Sequence, residues 1–122
     1  MILVDTSVWI DHLRGNDVTL VRLLEAGLVA THPFIIGELA LGALKKRHVV
    51  LSSLEELPKL SSASDSEVRH LIEREALFGQ GIGLIDAHLL ASVRLAPGTL
   101  LWTREKRLQA CVDPLGVLAR LH

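Results

Sequence analysis

An α/β fold on a central parallel sheet of four to five short strands is the class that this 122-residue sequence predicts, and three observations predict it. Ile2-Leu3-Val4 is an unbroken aliphatic run, the mark of a strand buried on both faces of a parallel sheet. Thr99-Leu100-Leu101-Trp102-Thr103 reads as a second such strand near the other end of the chain. Between them, short apolar runs alternate with capped segments of helical period, the pattern of strand-helix-strand crossovers. An apolar fraction of 49% with a mean hydropathy of +0.38 supplies a sizeable core for a single domain spanning residues 1–122.

Taken in order, the first strand stops at Asp5, after which Thr6 or Ser7 can cap a helix or hydrogen-bond Asp5 or a phosphate. Asp17 or Asn16 caps the next, which carries Val18, Leu20, Val21, Leu23 and Leu24 and stops at Gly27. Leu28 to Thr31 is a short strand. Pro33 then suits the first turn of a helix running through Glu38 towards Lys46, because its missing N–H is not needed there. His48 to Leu57 is a further helix, with a weak strand at Leu57 to Leu60. Ser64-Asp65-Ser66-Glu67 is a capping box for a helix bearing Val68, Leu71, Ile72, Ala76 and Leu77 and ending at Gly79. Gly79-Gln80-Gly81-Ile82-Gly83 follows a helix and lacks the G-x-G-x-x-G spacing, so it is a turn and not a dinucleotide loop. It opens a largely apolar helix, Leu84 to Val93, with Asp86 in its first turn. After Pro97-Gly98 and the Thr99 to Thr103 strand, Arg104 to Leu108 turns into a helix, and Leu115 to Leu118 adds a last strand.

Several function classes are excluded. No apolar run reaches the eighteen or more residues of a membrane-spanning helix, and Ile2 to Val4 is too short for a secretory signal. A lone Cys111 permits no disulfide framework, so the expected compartment is a reducing cytoplasm. The net charge of -1 argues against a polyanionic partner only at first sight. If four acids hold cations, the 13 basic residues face 10 acidic ones and the remaining surface is mildly basic. Lys45-Lys46-Arg47 and Arg104, Lys106 and Arg107 are the clusters that can touch phosphates, although the first also reads as a solvated helix end.

Four acids carry the candidate chemistry. Asp5 and Glu105 stand just past the ends of buried parallel strands, where α/β sheets bind ligands. Glu38 lies in a helix with no other charge between Phe34 and Leu44, and Asp86 in an apolar helix. Each has an ordinary reading as a helix cap or first-turn acid; together they describe a site assembled at one sheet edge. Carboxylates about 5 Å apart repel by roughly 3 kcal/mol at an effective dielectric near 20, so such a cluster persists because a cation fills it. Hard oxygen ligands without cysteine point to Mg²⁺ or Mn²⁺, and the matching chemistry is phosphodiester hydrolysis. The six histidines show no ligand spacing, Ser92 has no neighbouring base, and Cys111 has no His partner, so nucleophilic catalysis is disfavoured.

Val4-Asp5-Thr6-Ser7-Val8-Trp9-Ile10, Ile36-Gly37-Glu38-Leu39, Asp86-Ala87-His88-Leu89-Leu90-Ala91-Ser92 and Leu101-Trp102-Thr103-Arg104-Glu105-Lys106-Arg107-Leu108 jointly resemble a PIN-domain ribonuclease of the VapC type, the toxin of a type II toxin-antitoxin pair. The resemblance spans nearly the whole chain. It implies a three-layer α/β/α fold, a Mg²⁺- or Mn²⁺-dependent endoribonuclease acting on RNA, homodimerisation, and inhibition by a small VapB-like antitoxin. It also implies metal binding by Asp5 and Asp86 and a supporting or metal-binding role for Glu38. Where this chain has Glu105 the family more often has Asp, so the charge is kept but moved by one methylene. Two rivals remain at this level, a degenerate PIN-like module that only binds a partner and a receiver-type domain whose strand-end Asp accepts a phosphoryl group.

Overall fold

The computed structural model describes residues 1–121. A three-stranded parallel sheet in the order β2-β1-β3 lies at its centre, formed by β1 (Ile2–Val4), β2 (Val29–Ala30) and β3 (Leu100–Trp102). Ile2 and Leu3 pair with Val29 and Ala30 on one side, and Ile2, Leu3 and Val4 pair with Leu100, Leu101 and Trp102 on the other. Successive strand residues point to opposite faces, and Leu3, Val4, Leu101 and Trp102 are all fully buried, so both faces of the sheet are covered. Each of the aliphatic ones, Leu3, Val4 and Leu101, contributes about 1.5–3 kcal/mol by leaving water, which helps hold so short a sheet together.

The sheet is narrower than the four to five strands expected. The segments at 57–60 and 115–118 do run parallel beside it, but each makes a single bridge, Thr31 to Lys59 and Leu101 to Leu118. Thr31 N donates to Pro58 O and Leu60 N to Thr31 O, while Leu101 N donates to Val117 O and Ala119 N to Leu101 O. Pro58 has no N–H for a longer ladder, and β2 itself is only two residues long.

Seven helices are present among the described residues: α1 (Thr6–Gly15), α2 (Val18–Glu25), α3 (Pro33–Ala40), α4 (Arg47–Glu55), α5 (Asp65–Arg74), α6 (Leu84–Leu95) and α7 (Lys106–Val112). None is long and apolar enough to cross a membrane. Asp17 caps α2 through Oδ1, which accepts from Leu20 N, and the Ser64–Glu67 capping box at the start of α5 is complete.

Three helix ends differ from expectation. Asp5, not Thr6 or Ser7, is the N-cap residue of α1, and its side chain makes no cap hydrogen bond. Helix α3 stops at Ala40 instead of running towards Lys46, because Gly42 weakens a further turn and the Arg47 guanidinium takes the carbonyls of Ala40 and Gly42. Helix α5 ends at Arg74, short of Gly79. Ala76 takes a left-handed conformation (φ 50°), letting Leu77 N reach back to Ile72 O and sink the Leu77 side chain into the core. The turn between α5 and α6 contains Gly81 at φ 80°, where a Cβ would stand 2.8 Å from Arg107 Cδ. Arg107 thus lies directly against the turn that leads to Asp86, and a side chain at position 81 would be strained by the positive φ and would have to displace it.

A candidate acidic site at the sheet edge

The site begins with parallel register. Because Val4 pairs with Trp102, the next residues along the two strands, Asp5 and Thr103, leave the sheet side by side, and Asp5 N donates to Trp102 O (2.9 Å). Asp5 is 2% exposed. Its Oδ2 accepts from Thr103 Oγ1 (2.7 Å) and from Ser7 Oγ (2.9 Å), while Ser7 Oγ in turn accepts from Arg104 N (3.0 Å). Thr103 Oγ1 also accepts from Glu105 N (3.1 Å), and Thr103 O accepts from Gln109 Nε2 (2.8 Å). The buried carboxyl is therefore held by two hydroxyls that are themselves fixed by the start of α7.

The other acids come from three more elements. Glu38, half-buried on α3, accepts from Thr6 Oγ1 through Oε1 (2.9 Å), so neither Thr6 nor Ser7 caps α1: each serves a carboxylate. Burial raises the Glu38 carboxyl above its ordinary value, against the Thr6 hydrogen bond, and the charges of Asp5 and Asp86 raise it further. Asp86, half-buried at the third position of α6, accepts from Gly83 N through Oδ2 (3.2 Å), so the helix-cap reading is half right. Burial nevertheless raises its carboxyl, and Asp5 adds to the rise. Glu105 is the N-cap residue of α7 without a side-chain cap bond. Its surface is largely exposed, yet partial desolvation and then the charges of Asp5, Asp86 and Glu38 raise it too.

All four sequence-predicted acids thus lie within reach of one another's fields. No lysine, arginine or histidine among the described residues forms an ion pair with any of them, and no three His, Cys, Asp or Glu side chains are gathered closely enough to grip a metal ion as they stand. A set made only of hard oxygen donors, mutually repelling and without protein counter-charge, fits a hydrated divalent cation that retains several waters. The Cys111 thiol is raised by burial and by Asp86, which keeps it protonated, in line with the expectation that it is no nucleophile.

Thr103 is the site residue that sequence reasoning missed. It was read only as the end of a strand, and its role needs the pairing of β1 with β3. The histidines divide as expected into structural and surface ones, His122 lying outside the described residues. His32 is buried, accepts from Phe34 N through Nδ1 (3.0 Å) to cap α3, and so presents Nε2–H to Ser92 Oγ (3.1 Å), which accounts for both residues structurally. His12 accepts from Asp17 N. Arg47 of the first basic cluster is committed to closing the α3–α4 connection.

Carboxylates at the carboxyl ends of a buried parallel sheet stand where α/β proteins bind their ligands, and the family follows from the chain itself: residues 2–112 match the PIN domain, so this chain belongs to that family. It is similar to ribonuclease VapC32 of Mycobacterium tuberculosis, in strain CDC 1551 / Oshkosh and in strain ATCC 25618 / H37Rv. It is 50% identical to each over 117 residues, covering 96% of this chain and 94% of each relative.

Proposed function

We propose that this chain is a divalent-metal-dependent endoribonuclease, one domain over residues 1–122, acting in the cytoplasm as the toxin of a toxin-antitoxin pair. The observation that carries the reading is the convergence of Asp5, Glu38, Asp86 and Glu105 from four separate elements, three of them with raised carboxyls and none in an ion pair among the described residues. The resemblance to a ribonuclease over nearly the whole chain supports RNA as the substrate. Asp5 and Asp86 would hold Mg²⁺ or Mn²⁺, with Glu38 and Glu105 completing or tuning the site. Such an ion, when bound, lowers the pKa of an attacking water and offsets charge on the phosphate. The chain's own part is orientation. Thr103 and Ser7 fix Asp5, Thr6 fixes Glu38, and Gly83 N fixes Asp86, so that water adds at phosphorus as one P–O ester bond breaks. The partner is a small VapB-like antitoxin presenting Arg or Lys to the acidic edge, since a guanidinium pairs bidentately with carboxylates; a homodimer is the expected assembly.

Asp5→Asn keeps the shape of the side chain and removes its charge. Purified Asp5→Asn protein should lose metal-dependent RNA cleavage by more than the roughly 100-fold typical of losing a group that only orients a ligand. Cleavage at near wild-type rate, read on a labelled RNA across a Mg²⁺ and Mn²⁺ series, would end this reading.

A further inference from the structure

Beside the acidic edge runs a groove of about 450 Å³ between α1 and the α3–α4 connection, lined by Ile10, Leu13, Leu39 and Leu44 with Arg14, Lys45 and Glu38. Glu38 belongs both to this groove and to the coupled acids, so the groove opens onto the site itself. Arg14 and Lys45 are exposed and form no ion pair among the described residues, in contrast to Arg47, whose guanidinium closes the neighbouring connection. Two unmatched cations thus flank an apolar channel whose one acid marks where it meets the site.

Resting on the ribonuclease reading, we propose that this groove is the substrate subsite for the nucleotide adjoining the scissile phosphate. The aliphatic side chains pack against its base and ribose, and Arg14 and Lys45 hold the phosphate on its far side. The charges fit a polyanion, since Arg14 and Lys45 outnumber Glu38, the one acid lining the groove, which accepts from Thr6 Oγ1. The volume suits one nucleotide with its base splayed out, as recognition of a single strand requires. No aromatic side chain lines the groove, which makes recognition depend on apolar contact and phosphate charge.

The test is fluorescence anisotropy with a dye-labelled single-stranded oligoribonucleotide, using Asp5→Asn protein in chelator so that nothing is cleaved. Arg14→Gln with Lys45→Gln should weaken binding about tenfold at low salt and reduce the slope of log affinity against log salt by roughly 0.7, the value for losing one phosphate contact on a single strand. Leu44→Ala should weaken binding without changing that slope, and Arg22→Gln, on α2 away from the groove, should change neither. Thermal melts establish that each variant is folded. Unchanged affinity and slope in the double variant would overturn the subsite while leaving the ribonuclease reading standing. The same holds if the variants bind RNA normally but lose a protein partner, since the groove would then belong to that partner. Failure of wild type either to cleave RNA or, as Asp5→Asn, to bind it would overturn the ribonuclease reading and the subsite with it.

Discussion

Two acidic regions lie side by side in this molecule and behave in opposite ways. In one, the Arg104 guanidinium bridges Asp11 and Asp17 while stacking over Trp102 at 5.4 Å, and the Asp17 carboxyl falls below its ordinary value chiefly because of the hydrogen bond from Arg104. In the other, one residue further along the chain, Glu105 joins Asp5, Glu38 and Asp86, and the carboxyls of Glu38, Asp86 and Glu105 rise. The acid matched by a cation is lowered; the unmatched ones are raised, first by burial, which disfavours their charge, and then by one another's repulsion. The shifts of Asp17 on one side and of Glu38, Asp86 and Glu105 on the other thus run in opposite directions.

The largest effect expected within that contrast is at the support of Asp5. Thr103→Val keeps the shape and removes the hydroxyl that reaches Asp5, leaving Ser7 as the only donor to Oδ2. It should raise the Mg²⁺ concentration needed for half-maximal cleavage by about 10- to 100-fold, as losses of ligand-orienting partners do. An unchanged metal titration would detach Thr103 from the site.

A neighbouring pair of substitutions sharpens the comparison further. Arg104→Gln should cost stability, roughly 1 kcal/mol because both ion pairs are partly exposed, and leave the metal titration where it was. Glu105→Gln should do the reverse, raising the Mg²⁺ needed if it ligates, or lowering the rate at an unchanged metal requirement if it only tunes the site. Urea melts and metal titrations on both proteins separate the two roles. A Glu105→Gln protein indistinguishable from wild type would remove Glu105 from the cluster.

Much of this was legible in the sequence because its signals are local. The aliphatic runs at Ile2 to Val4 and Leu100 to Trp102 announce β1 and β3, and the acids that follow them mark the sheet edge. Glu38 stands out as the one charge in an apolar helix. Thr103 was not legible, since it meets Asp5 across 98 residues of sequence and through a strand pairing that no local pattern declares. The segments at 57–60 and 115–118 carry strand-like composition and lie where strands would, yet each makes one bridge; Pro58 and the shortness of β2 limit the first. The early end of α5 depends on Ala76 taking a conformation that propensity assigns to glycine, so helical spacing overran it.

The central claim is that Asp5, Glu38, Asp86 and Glu105 form one anionic site whose charge is relieved by a cation and not by the protein. Asp86→Asn tests it most directly, because Asn keeps an oxygen for Gly83 N and removes only the charge. Carboxyls raised from their ordinary values of 3.8 for Asp86 and 4.5 for Glu38 and Glu105 contribute stability that is fully present below those values and is lost as pH climbs through the raised ones. His32, lowered by burial, works the other way, losing stability as pH falls, and cancels between wild type and variant. Thermal melts of both proteins from pH 4.5 to 8, in chelator and in excess Mg²⁺, are the measurement. In chelator, wild type should lose more stability than Asp86→Asn as pH rises, leaving the variant more stable at pH 8 by roughly 1 kcal/mol, a few degrees in Tm. Mg²⁺ should then raise wild type more than the variant, through binding to the folded state. An Asp86→Asn protein less stable than wild type in chelator across this range, with equal Mg²⁺ shifts in both, would contradict a shared metal site.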